Sequence, residues 1–294
     1  MPLILATLAA LGIAVLVSLT SPDAISAAGM SPRHASACDS MRAGWIWCDD
    51  FEQDRLGHYF EYDSAHGAFV REAGAGRDGS YGMRARFAAH QESVGSLKLA
   101  FGRTPGMRPV DAGTARYRDI YWRFQVMHEP GWIGGGGRKL TRATSFASAR
   151  WTQAMIAHVW SSKGPRDGQL VLDPASGMSA TGIVRTTRYN DFQNLRWLGS
   201  TLGIHALFSP AGTGRWHCVE AHVRLNTPGA TDGVFELWVD NQPDARRDRL
   251  DWVGTYGEYG INAIFLENFW NDGAPRAQAR SFDDFVVSTR RIQC

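Results

Sequence analysis

The segment WHCVEAHVRLN (216–226) sets Val219, Ala221, Val223 and Leu225 against Cys218, Glu220, His222, Arg224 and Asn226. Successive side chains leave a β-strand on opposite sides, so this alternation predicts a strand with one apolar and one polar face. The following loop, TPGATDG, carries the turn formers Pro228, Gly229, Asp232 and Gly233. Alternation then resumes in FELWVDN, with Phe235, Leu237 and Val239 against Glu236, Trp238 and Asp240. Two alternating runs around a turn-rich loop predict an antiparallel β-hairpin.

The rest of the chain repeats this grammar. Short runs punctuated by Gly, Pro, Asn and Asp occur at 45–51, 81–87, 96–102, 119–126, 153–160, 181–189, 261–270 and 281–289. No strong helical period intervenes. The chain holds 32 Gly, 11 Trp and 14 Phe, which favours short strands and tight turns over a helical bundle. Apolar residues at 44% and charged residues at 20% supply an ordinary core and argue against disorder. The expectation is an all-β fold, a two-sheet antiparallel β-sandwich. One segment differs: GWIGGGGRKLTR (131–142) has four consecutive glycines, which predict a loop that delivers Arg138, Lys139 and Arg142 to a surface.

The first 20 residues are an apolar or small-residue run without Lys or Arg, followed by small residues around Ser26, Ala27 and Ala28. This predicts a signal peptide over 1–28, with an N-terminal anchor as the alternative because the run is long enough to span a bilayer. A lead-in over 29–44 and one domain over 45–294 follow. The mature chain is then expected to be secreted or periplasmic, monomeric and without stable membrane association. Four cysteines, Cys38, Cys48, Cys218 and Cys294, in an exported chain favour two disulfides over a metal site, and no Cys-x-x-Cys pair supports zinc. Three pairings are open; Cys38 with Cys48 and Cys218 with Cys294 is the one we favour. A net charge of +2 without any run of like charges argues against a nucleic-acid partner. No redox cofactor is expected. Asp232 and the Asp283–Asp284 pair suit either a structural calcium ion or the capping of turn amides.

Taken in order, GGGGRKL, WHCVEAHVRLNTPGATDGVFELWVDNQ, IFLENFWNDGAP and SFDDFVVST resemble the jelly-roll polysaccharide lyases of the alginate and glucuronan lyase type, within the concanavalin A-like lectin and glucanase fold. The resemblance runs from about Trp45 to Thr289, and its most specific part, the hairpin, is scaffold. It implies a jelly roll whose concave sheet holds an acidic polysaccharide. Lys139 matches the lysine of the family's Gly-Gly-Lys loop, although here the loop continues Lys-Leu-Thr-Arg in place of Lys-Leu-Pro-Gly, and FWNDG stands where the family has Phe-Gly-Gly.

β-Elimination from a uronic acid needs a cation or donor for the carboxylate, a base for the adjacent C–H and an acid for the leaving oxygen. Lys139, His158, Arg185 and Tyr189 are the candidates, His158 as base because imidazole titrates near neutrality. Strand parity over 181–189 puts Arg185, Thr187 and Tyr189 on one face. Parity over 153–160 puts His158 with Ile156 and Trp160, and Gln153 opposite, so the Gln–His pairing that the resemblance implies requires a bulge. Arg142 and Gln153 are binding candidates; Trp160, Trp197 and Trp270 offer faces for sugar rings, with Asn194 and Asn268 for hydroxyls. Trp45, Trp122 and Trp216 read as core. Two other classes stay open: a lectin-like binding module, and a glycoside hydrolase using Glu220 with Glu236 or Asp283 with Asp284.

Overall fold

The computed structural model describes residues 38–134, 138–162, 168–179 and 181–294, the side chain of Arg138 excepted. The expected signal peptide, the expected lead-in up to residue 37 and the middle of the glycine run lie outside the described residues.

Two antiparallel sheets of eight strands face each other. The back sheet runs in the order β14 (Gln242–Leu250), β13 (Gly233–Val239), β12 (Trp216–Arg224), β6 (Asp119–His128), β16 (Gln278–Ser288), β4 (Tyr81–Phe87) and β3 (Phe69–Ala73), with β1 (Trp45–Asp49) also paired to β16. The front sheet runs β10 (Arg196–Trp197), β9 (Leu170–Ser176), β8 (Gln153–Ser161), β7 (Arg138–Phe146), β15 (Ala263–Trp270), β5 (Ser93–Ala100) and β2 (Glu61–Asp63), with β11 (Thr201–Leu202) also paired to β9. The result is a β-sandwich jelly roll.

The hairpin forms as expected: Val223 pairs with Phe235 and Ala221 with Leu237, and all four side chains enter the core. They meet Leu97, Leu99, Ala143, Ala157, Val159, Ile264 and Leu266 from the inner face of the front sheet. Trp122 is wholly buried between the layers and donates its indole N–H to Thr141 Oγ1 at 3.0 Å, which ties the sheets together with a polar bond inside an apolar core. Trp45 and Trp216, expected in the core, are half-buried. Both favoured disulfides form, Cys38–Cys48 and Cys218–Cys294. The second ties the last residue to β12, where buried Glu220 also accepts the backbone N–H groups of Ile292 and Gln293.

Two local expectations are corrected. Residues 181–189 are not a strand; among them only Val184 makes a bridge, to Met178. Thr186 turns the chain there by exchanging hydrogen bonds with the Gln153 backbone. The predicted 131–142 loop becomes strand from Arg138 onward, because Lys139 and the residues after it sit between β8 and β15 and have ladder partners on both sides. Gly-rich sequence hid a central strand that begins directly after it.

Two back-sheet carboxyls carry a pH prediction. Burial pushes Asp49 up to about 6 and Asp283 up to about 7, from an ordinary 3.8. At these two sites the folded chain therefore keeps protons that the unfolded chain has released between about pH 4 and pH 7, and their contribution to stability falls as pH rises through that window, whereas buried neutral His158 contributes with the opposite sign. Thermal melts at low salt should show that Asp49→Asn removes a part of the pH dependence that lowers the parent's midpoint between pH 5 and pH 7.5. The same pH dependence of the midpoint in parent and Asp49→Asn would contradict the assignment.

Candidate active site

The outer face of the front sheet is built by parity. On β8, Ile156, His158 and Trp160 point away from the core; on β7, Arg142 lies opposite His158, and Lys139 opposite Trp160. A register shift between Lys139 and Thr141 leaves Leu140 in the core and returns Lys139 to the outer face. A second shift, at Gln153, turns its side chain to the same outer face as His158. The bulge that the Gln–His pairing required is present. Gln153 Nε2 donates to Thr144 Oγ1 at 3.1 Å, and its Oε1 accepts the Asn190 backbone N–H at 2.9 Å, so Gln153 anchors the 181–195 loop over the sheet.

That loop brings Tyr189 and Asn190 onto Arg142. The guanidinium, fully buried, donates from Nη1 to Asn190 Oδ1 at 2.8 Å and from Nη2 to both Tyr189 Oη and Glu267 Oε1, the last at 2.8 Å. Glu267 reaches this face because β15 alternates: Ile264 and Leu266 point inward, Phe265 and Glu267 outward. Lys98 from β5 lies over the Tyr189 and Phe265 rings and pairs with Glu61. Lys139 sits with its ammonium 4.3 Å from the centre of the Phe269 ring and makes no ion pair among the described residues.

The electrostatics assign protonation states. Burial, aided by the charges of Arg142 and Lys139, holds His158 well below its ordinary 6.5. Its Nδ1 lies 3.1 Å from the Asp173 carbonyl, which can only accept, so Nδ1 carries the proton and Nε2 presents a lone pair. Burial pushes the Tyr189 phenol up to about 12, with Arg142 pulling it down and Glu267 pushing it further up. Burial lowers Lys139, offset in part by Glu267. Asp173, cross-strand from His158, is raised to about 6 by burial.

Four buried polar atoms on this face have no hydrogen-bond partner: His158 Nε2, Trp160 Nε1, Arg142 Nε and Glu267 Oε2. Buried polar atoms in folded proteins are nearly always satisfied, and four such atoms on one sheet face beside Lys139 and Tyr189 suit a polar ligand. Trp197, 42% exposed, stacks at 26° on both His158 and Phe192 and leaves an aromatic wall at the rim.

Of the residues expected from the sequence, Lys139, Arg142, Gln153, His158, Trp160, Tyr189 and Trp197 come together here. Arg185 does not: residues 181–189 form a loop, and its side chain is exposed, away from the Arg142 cluster. Asn194 bonds Asp191 and braces the loop. Asn268 and Trp270 are corrected, because the alternation of β15 turns them inward with Ile264 and Leu266. Asn268 accepts from the Arg280 Nε at 2.8 Å, and Trp270 packs on Phe87 and Trp132. Glu267, Phe269, Phe192, Asn190 and Asp173 were missed; parity within IFLENF alone sets Glu267 apart from Ile264 and Leu266.

The carboxylates weighed for hydrolysis lie elsewhere. Glu220 is covered by the C-terminal tail, and Glu236 pairs with His222 and Arg246 on the back sheet. Asp283 accepts the Arg77 and Asp284 backbone N–H groups, and Asp232 caps Thr227. Among the described residues no three His, Cys, Asp or Glu side chains are grouped to hold a metal, and no helix is long and apolar enough to cross a membrane.

No family model and no curated protein sequence matches this chain. Solved structures do. The endo-β-1,4-glucuronan lyase of the fungus Trichoderma reesei superposes with a TM-score of 0.58 at 10% identity, over 84% of this chain and 96% of that one. The alginate lyase of Aplysia kurodai gives 0.56 at 14% identity, over 84% and 100%, and an alginate lyase from a Chlorella virus 0.55 at 13%, over 79% and 93%. A histidine, a tyrosine, a lysine and a buried arginine thus share one sheet face of a scaffold that these enzymes also use, and the chain has the jelly-roll fold of alginate and glucuronan lyases.

Proposed function

We propose that the outer face of the front sheet binds an acidic polysaccharide and cleaves it by β-elimination. The observation that carries this reading is the grouping of Lys139, Arg142, His158 and Tyr189 on one sheet face, with His158 Nε2 free of any hydrogen-bond partner. A uronate carboxylate sits against the Lys139 ammonium, which neutralises it and makes the C5 proton acidic. His158 Nε2 takes that proton. The C5–H electron pair becomes the C4–C5 double bond, the C4–O bond breaks, and Tyr189 Oη–H returns a proton to the departing oxygen. Trp197 and Phe192 pack on the C–H faces of neighbouring sugars. Two disulfides fit folding in an oxidising compartment, and a polymer substrate fits a secreted or periplasmic chain.

The test is a panel of uronic-acid polysaccharides, followed by ultraviolet absorbance of the conjugated unsaturated ends and by a reducing-end assay in parallel. Both signals should rise together, and Lys139→Ala should lower the rate by about a hundredfold or more. Reducing ends without absorbance would mean hydrolysis. Binding with both signals flat would mean a lectin-like module.

A further inference from the structure

Arg142 bonds Asn190, Tyr189 and Glu267 at once, and its charge is already answered. Its Nη2 donates at once to Glu267 Oε1, 2.8 Å away, and to Tyr189 Oη. Both the guanidinium and the carboxylate are buried, with side chains 0% and 9% exposed, so water does little to screen the pair. Glu267 keeps its second oxygen, Oε2, without a partner. A carboxylate is an unexpected lining for a site that receives an acidic sugar, because it repels the substrate and cancels the nearest guanidinium. It needs a task that outweighs this cost.

We propose that Glu267 is a positioning residue: by sharing the Arg142 guanidinium it fixes Arg142 as a donor to Tyr189 Oη and so leaves the phenol its own proton to deliver. The inference rests on the lyase reading for what the proton is used for, and on the ion pair alone for where the proton stays. A phenol that only accepts from a guanidinium becomes more acidic, because the cation favours the phenolate. Glu267 supplies the opposite charge on the far side of the same nitrogen. Among the other groups near Tyr189, Glu61 on β2 also pushes the phenol up, by less than Glu267 does, and it bonds Lys98 and not Arg142. Lys98 on β5, 5.6 Å from the ring centre, is paired with Glu61 on β2; His158 on β8 is neutral; Asn190, next in the loop, carries no charge. Glu267 also occupies the Arg142 nitrogen that a substrate carboxylate would otherwise capture, which leaves Lys139 as the cation for that group.

The experiment replaces Glu267 by Gln, which keeps the size of the side chain and its acceptor oxygen but removes the charge. The full chain is labelled with 3-fluorotyrosine, and the Tyr189 resonance is identified as the one missing in Tyr189→Phe. In the parent chain that fluorine signal should stay flat from neutral pH to the alkaline limit of the folded state. In Glu267→Gln it should titrate within that range, and in Glu267→Asp, which restores the charge, it should be flat again. A Tyr189 signal with the same pH course in parent and Glu267→Gln overturns the proposal. On a cleaved uronan, the alkaline limb of kcat should move to lower pH in Glu267→Gln, with KM changed less than kcat; a lower kcat with an unmoved limb also overturns it. A parent chain that cleaves no uronan would refute the lyase reading and leave the fluorine titration to decide what Glu267 does.

Discussion

Replacing His158 by Ala should abolish uronan cleavage, with kcat falling by about a hundredfold to ten-thousandfold, the range associated with losing a positioned general base. The imidazole is wholly buried, its Nδ1 proton is fixed on the Asp173 carbonyl 3.1 Å away, and its Nε2 has no partner. It is therefore a fixed lone pair with one direction of use. The pH course follows from the same burial. The base works unprotonated, and His158 is held well below 6.5, so the acid limb of the rate lies below pH 6.5. Above that limb the rate should be flat until Tyr189 begins to lose its proton at the alkaline end, near 12 in the parent chain. A His158→Ala variant that keeps a tenth of the parent kcat, or an acid limb centred at an unperturbed histidine value, would remove His158 from the role of base and pass it to Lys139 or Tyr189.

The second large effect concerns a residue that never meets substrate. Arg280 rises from β16 in the back sheet and is 1% exposed. It donates from Nε to Asn268 Oδ1 at 2.8 Å and from Nη2 to the Lys139 carbonyl at 2.9 Å, and also to the Glu267 carbonyl. Those two backbone groups lie at the register shifts of β7 and β15, where an extra residue interrupts the ladder and leaves carbonyls without a strand partner. One buried guanidinium thus satisfies both irregularities from behind and fixes the outward turn of Lys139 and Glu267. Arg280→Leu strands three acceptors in the core, each costing about 1–3 kcal/mol, and should destabilise the fold by about 3–5 kcal/mol. Denaturant melts with an unchanged slope check the figure. Kinetics on the surviving folded fraction should show kcat reduced as well, because the lysine and the carboxylate lose their common support. A loss under about 1 kcal/mol would mean that the bulges hold themselves.

Legibility tracked how local the cause was. The hairpin was readable because its alternation and its turn residues lie within 24 successive positions, 216–239, and each run needs only one apolar face to be covered. The disulfides followed from an even cysteine number and the expectation of export, with the pairing decided by which segments came together. Strand β7 was missed because RKLTRATSF follows a glycine run and mixes Lys, Arg and Thr. These are inward and outward residues of a central strand whose outer side is a polar site, and such a strand has no apolar alternation to display.

Two antiparallel sheets around an aromatic and aliphatic core were readable from residue order alone, as was the expectation that Lys139, His158, Arg185 and Tyr189 bear chemistry. Side-chain period and turn chemistry are properties of a few consecutive residues, so they survive without tertiary information. Which of the polar residues meet depends on contacts between distant strands. Bulges at Gln153 and Lys139 each reverse the parity downstream of them, which brought Gln153 to His158 and turned Lys139 outward. Which face of β15 meets the core sent Asn268 and Trp270 inward with Ile264 and Leu266, and the 181–195 loop placed Tyr189, and not Arg185, on Arg142. A single extra residue in a strand exchanges the faces of every side chain beyond it, and what stabilises that extra residue comes from the other sheet: Arg280 lies 141 positions from Lys139 in the chain.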